Sequence, residues 1–136
     1  MRVLALDYGL ARIGCAVSDA TGTLATPIAA IEPPEVSEVV SVAEEREVEC
    51  IVVGLPVSLS GEESGQAELT RSFCDDLRGA TELPVETYDE RFTTRMAAQT
   101  RRTSGAGAAE DSIAAAHLLE TFLMSKASRA GQDDDD

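Results

Sequence analysis

Three short strand-like runs open the chain, RVLALD (2–7), RIGCAVS (12–18) and TLATPIAAI (23–31), and only YGLA and DATG stand between them. Spacers this short, built from Gly, Ala, Asp and Thr, are the punctuation of successive hairpins, so residues 2–31 should form an antiparallel meander. Whatever follows must then join a sheet that already exists.

The period changes after the Pro33-Pro34 break. EVSEVVSVAEER (35–46) places Val36, Val39, Val40 and Ala43 at helical spacing with glutamates opposite, which reads as an amphipathic helix. CIVVGLP follows with a buried strand over 50–53, whose unbroken apolar run suits a parallel strand covered on both faces. The loop GLPVSLSGEESG is longer than the usual connection of about 4–6 residues and leads to a helix over 65–79, a strand over 84–88 and a last helix near 110–126. With a further helix over 94–103, the order is βββαβαβαα. Hairpins return a chain antiparallel and helical crossovers return it parallel. The expected fold is therefore α/β, a five-stranded mixed sheet with helices on both faces. Functional groups in such sheets gather at the carboxyl ends of the parallel strands, where Asp7 closes the first strand and Glu90 follows the fifth.

With 136 residues the chain is long enough for one core, and the expected division is a single domain over 1–126 and an acidic, disordered tail over 127–136 ending in Asp133 to Asp136. No run approaches the roughly 18 apolar residues of a membrane helix. MRVLALDYG reads as a strand and not as a cleavable signal, which points to the cytoplasm and no membrane partner. Cys15, Cys50 and Cys74 show no C-x-x-C pairing and read as buried, reduced thiols.

The net charge of −14, with 25 acids against 11 bases, repels phosphate polymers and argues against a generic nucleic-acid coat protein. One stretch departs from that average. RFTTRMAAQTRRTSGAGAA (91–109) carries Arg91, Arg95, Arg101 and Arg102 and no acid. If 94–103 is helical with Thr93 or Thr94 as its N-cap, then Arg91, Arg95 and Arg102 share a face. That face is either solvated surface or a basic lip holding one stretch of phosphate backbone beside an acidic site.

Three acids sit at element ends. Asp7 alone reads equally well as an Asx turn before Gly9. Asp111 starts a helix whose Ala115, Leu118 and Phe122 follow on the same side, and alone it reads as an N-cap or a partner of the helix dipole. In the run Asp89-Glu90-Arg91 strand alternation lets only one of the two adjacent acids face the site, and Glu90 is assigned to it for its longer reach, with Asp89 expected to bond local backbone amides. Taken together, converging carboxylates raise one another's pKa unless a cation shares them, so the triad predicts a hard divalent metal, Mg²⁺ or Mn²⁺. The matching chemistry is phosphodiester hydrolysis, with arginines holding flanking phosphates.

Four motifs, LALDYGLARIGCAVSD, IVVGLPVSLSGEESGQAELTRSF, VETYDERFTTRMA and EDSIAAAHLLETFL, closely resemble the YqgF/RuvX family of Holliday junction resolvase-like proteins, described as pre-16S rRNA nucleases. The similarity covers about residues 1–124. It implies an RNase H-like fold, metal-dependent nuclease activity and a role in ribosome biogenesis at the 5′ end of pre-16S rRNA, with pre-ribosomal particles as partners. By motif position the catalytic and metal-binding set is Asp7, Glu90 and Asp111. Gly9 and Gly14 match glycines of the first motif, and Gly54-Leu55-Pro56 the G-L-P turn. Gly9, Arg12, Arg91, Thr94, Arg95, Arg101 and Arg102 are the candidate substrate contacts. Family members often carry lysine shortly before the last aspartate, whereas SGAGAAEDS has none, so grip on that side is weaker or rests on Arg101 and Arg102.

Other signals are plain. GLARIG lacks G-x-G-x-x-G, GLPVSLSGE lacks the G-K-[ST] of a P-loop, and Ser58 and Ser60 have no histidine base at hand. His117 lies six residues after Asp111, off its face, and reads as structural. The rivals to an RNA nuclease are a non-catalytic RNA-, ribosome- or transcription-associated factor and a DNA junction resolvase. A monomer or weak homodimer is expected.

Overall fold

The computed structural model describes residues 1–56, 65–89 and 107–133, with backbone alone for 107–110 and 127–133. Its elements are β1 (Val3–Tyr8), β2 (Ile13–Ser18), β3 (Ala25–Ile31), α1 (Val36–Glu45), β4 (Cys50–Leu55), α2 (Gly65–Ala80), β5 (Val85–Asp89) and α3 (Gly107–Asp133). The expected helix over 94–103 lies outside the described residues.

Among the described residues the strands form one sheet in the order β3-β2-β1-β4-β5. The meander is antiparallel, β1 on β2 and β2 on β3, and the helix-linked strands are parallel, β1 on β4 and β4 on β5. β4 runs past the expected 50–53 because Gly54 and Leu55 still find partners in Tyr88 and Asp89.

Position in the sheet explains the strand compositions. Interior β4 is buried along its length, so CIVVGL needs apolar or small side chains on both faces, whereas edge strand β3 leaves Thr26, Pro27 and Ala29 exposed. Proline is tolerated on an edge because the ladder there has a vacant side.

Two cores result. On one face Leu4, Leu6, Ile13, Ile51 and Val53 pack against Val39 of α1 and Phe73 and Leu77 of α2. On the other, Val3, Ala5, Ala16 and Val52 meet Ala115, Leu118, Leu119 and Phe122 of α3. Small residues on both sides of the second contact, Ala5 and Ala16 facing Ala115 and Ala116, let α3 lie close to the sheet. The three cysteines are free and buried, and burial pushes the thiols of Cys15 and Cys50 up to about 11, with Glu86 adding to the effect at Cys50. Among the described residues no helix is long and apolar enough to cross a membrane.

α3 departs from expectation. It begins at Gly107, so Asp111 lies in its second turn and is neither its N-cap nor its first residue, and it continues beyond 126 to Asp133, so residues 127–133, expected in the tail, extend the helix. KASRAGQ contains no proline, and its single glycine costs a helix only about 1 kcal/mol relative to alanine, which is too little to force a stop.

Candidate active site

Strand alternation decides where Asp7 points. Val3 and Ala5 belong to the α3-side core, and the period of two carries Asp7 to the same face, half-buried near the carboxyl end of β1. Its cross-strand partner is Gly14. Directly opposed residues of an antiparallel pair share a face with Cβ atoms about 4.5–5.5 Å apart, so the missing side chain of Gly14 leaves a vacancy beside Asp7. α3 fills it. A Cβ built on Gly14 would collide with the carbonyl group of Asp111 and stand 2.8 Å from the Asp111 Cβ. The two aspartates, distant in sequence, thus flank one glycine.

The turn between β1 and β2 brings a cation to the same place. Gly9 N–H donates to the Arg12 carbonyl at 3.0 Å, and a side chain at Gly9 would crowd that oxygen at the same distance. Arg12 Nη1 then lies 3.6 Å from Asp111 Oδ2, while its Nε donates to Glu32 Oε2 at 3.4 Å. Arg12 and Asp111 are about 30% exposed, 29% and 28%, so the pair is a weak, orienting contact and not a source of stability. Arg12 is therefore an ion-pair partner of the candidate acid itself.

On the other side of Asp7 the backbone is held by α2. Gln66 Nε2 donates to the Tyr8 carbonyl at 3.3 Å, and the Tyr8 ring stacks on Phe73 with centroids 4.6 Å apart. Tyr8 faces away from α3, and its contacts fix the peptide that follows Asp7.

Within β5, Tyr88 packs on the α3 side, while Val85 belongs to the opposite core, so Thr87 and Asp89 alternate to that opposite face. Asp89 is accordingly turned from the Asp7 face. Glu90 and the candidate contacts Arg91, Thr94, Arg95, Arg101 and Arg102 lie outside the described residues. Among the described residues no three His, Cys, Asp or Glu side chains form a metal-holding group; the pair Asp7 and Asp111 is what the fold brings together. His117, read from the sequence as structural, is partly buried on α3 with Nδ1 4.0 Å from Glu120 Oε2.

Ser112, Glu32 and Gln66 escape a reading by motif and period. Ser112 is 3% exposed, and only its place beside Asp111 on a core-facing stripe could have drawn notice. Glu32 precedes a Pro-Pro break and reads as loop, and Gln66 reads as ordinary helix surface.

Residues 1–125 match the RuvX family model, whose description is Holliday junction resolvase. A Chloroflexus aurantiacus protein carrying a pre-16S rRNA nuclease name is 40% identical over 135 residues, covering 93% of this chain and 88% of its own. One from Koribacter versatilis, with the same name, is 39% identical over 131 residues, covering 90% and 86%. Among solved structures, T. thermophilus RuvC in complex with a Holliday junction substrate aligns with a TM-score of 0.59 at 15% identity, over 94% of this chain and 96% of that one. The α/β fold is RNase H-like, as expected.

Proposed function

The chain belongs to the RuvX family, and from that premise we propose that it is a metal-dependent nuclease that hydrolyses phosphodiester bonds, with the 5′ end of pre-16S rRNA as its substrate in ribosome biogenesis. The observation that carries this reading is the seating of Asp111 over Gly14, directly beside Asp7. Two aspartates that flank one glycine offer an oxygen-donor set suited to Mg²⁺ or Mn²⁺. Such an ion supplies Lewis acidity that activates water and offsets charge on the leaving oxygen.

The remaining roles belong to the chain's own groups. Asp7 and Asp111 hold the cation, and Glu90 is enlisted as the third ligand by its place in the D-E-R motif. Arg12 orients Asp111 and offers a guanidinium to a phosphate at the same rim. Gly9 keeps the neighbouring hairpin thin enough for backbone to approach, and Arg91, Thr94, Arg95, Arg101 and Arg102 hold flanking phosphates. The partners proposed are pre-16S rRNA and pre-ribosomal particles in the cytoplasm, met by a monomer or weak homodimer.

The test is cleavage of an RNA carrying the pre-16S 5′ leader, with Mn²⁺ or Mg²⁺, by wild type and Asp7→Asn. Loss of a metal ligand should cost more than the roughly 10–100-fold typical of outer-shell changes, with the melting temperature retained. Equal activity in the two proteins rejects the assignment. The family's description favours a second substrate, a four-way DNA junction, and the same assay on that junction separates the two. RNA binding without cleavage under every condition would instead mark a non-catalytic factor.

A further inference from the structure

Where α3 meets the meander, the register of the sheet slips. Ile13 pairs with Ile31 but Cys15 pairs with Ile28, so two steps along β2 correspond to three along β3, and the shift falls at Gly14. A slip of this kind strands backbone groups that an even ladder would pair. Here a side chain from α3 takes them up. Cys15 N–H donates to Ser112 Oγ at 3.3 Å, and the Ser112 hydroxyl donates to the Ile28 carbonyl at 2.7 Å. The hydroxyl is buried and links facing residues of two strands.

Its neighbour in sequence is Asp111. Gly14 receives the Asp111 backbone, and one residue later Ser112 is tied to both strands that border the slip. Two adjacent anchors fix both the depth and the rotation of the helix at this point. Without the hydroxyl this turn of α3 would be free to rotate or lift, carrying the Asp111 carboxylate away from Asp7. Resting on the reading of Asp111 as a metal ligand, we propose that Ser112 is its positioning residue: it sets the carboxylate by locking α3 into the β2–β3 register slip, without touching the cation.

The test is calorimetric titration of Mn²⁺ into the full chain as wild type, Ser112→Ala, Ser112→Thr, Asp111→Asn and the Asp111→Asn/Ser112→Ala double variant, with melting temperatures measured alongside. Ser112→Ala should weaken Mn²⁺ binding roughly tenfold, Ser112→Thr, which keeps the hydroxyl, should stay near wild type, and Ser112→Ala should add nothing once Asp111 is already Asn. A role confined to stability would lower the melting temperature and leave Mn²⁺ affinity unmoved, and that result overturns the proposal. So does an equal further loss in the Asp111→Asn background, or a loss in Ser112→Thr as large as in Ser112→Ala. Should Ser112→Ala fail to fold, Ser112→Thr is compared with wild type alone, and a roughly tenfold loss of Mn²⁺ affinity in it overturns the proposal. Unchanged Mn²⁺ affinity in Asp111→Asn is distinct from all of these, because it removes the metal reading of Asp111 itself.

Discussion

At Gly14 the absence of a single carbon decides whether the site exists. Gly14→Ala would drive a methyl group into the backbone of Asp111, and backbone cannot yield by a rotamer change. We expect a loss of about 1–3 kcal/mol, the usual cost of overpacking, read as a lower midpoint in urea, together with Mn²⁺ affinity reduced as α3 is displaced. A stable variant with wild-type Mn²⁺ binding would show that the close approach is dispensable. Asp19 offers a pH handle remote from the acids. Its carboxylate accepts from the Thr21 hydroxyl at 2.7 Å and from the Thr23 and Leu24 amides at 2.8 and 3.1 Å, and these bonds, Thr21 foremost, pull its pKa from 3.8 to about 2. A carboxyl with a depressed folded-state pKa stabilises the fold above its unfolded value and loses that contribution as pH falls through the folded value. Asp19→Ala should therefore melt lower than wild type at neutral pH, and the gap should close between about pH 4 and about pH 2. A gap independent of pH would mean the turn is held by other contacts.

At the scale of elements, α1 and α3 are anchored in opposite ways. α3 is held by buried apolar contacts and by the two adjacent anchors at Asp111 and Ser112. α1 begins at Val36 behind Glu35, an N-cap with extended backbone (φ −136°, ψ 133°) and no side-chain cap bond. Its first amides are thus without a side-chain acceptor from the cap position, while Glu38 already occupies the third helical position. Glu35→Ser would complete a capping box with Glu38 and should add about 0.5–2 kcal/mol, seen as a melting temperature higher by a few degrees with cleavage unchanged. No gain would mean that Glu35 already serves the helix start through its charge.

The whole molecule is strongly acidic, −14, yet must hold a polyanion if it is a nuclease. On the proposed reading the basic segment resolves the conflict by concentrating charge, since Arg91, Arg95, Arg101 and Arg102 lie in a stretch without acids. Four arginines neutralising single-strand phosphates, at about 0.7 per phosphate, should give a log–log salt dependence of binding with slope of roughly −3. Replacing Arg101 and Arg102 by Ala should halve that slope in a filter-binding or anisotropy titration. A slope that did not change would move substrate binding to another surface.

The sequence by itself determined the local geometry: hairpin punctuation set the meander, helical spacing set the crossovers, and connection type then dictated parallel or antiparallel pairing. It also marked Asp7, Glu90 and Asp111, since charge beside an apolar run stands out in one dimension, but it set Asp111 at a helix start, whereas α3 already begins at Gly107. Only the tertiary structure decided that Gly14 is the seat of Asp111, that Ser112 bridges a register slip, and that Arg12 joins Glu32 to Asp111. The difference has a physical basis. Period and turn chemistry act over a few residues, whereas the depth of a helix on a sheet depends on volumes and unpaired backbone groups contributed by segments nearly a hundred residues apart.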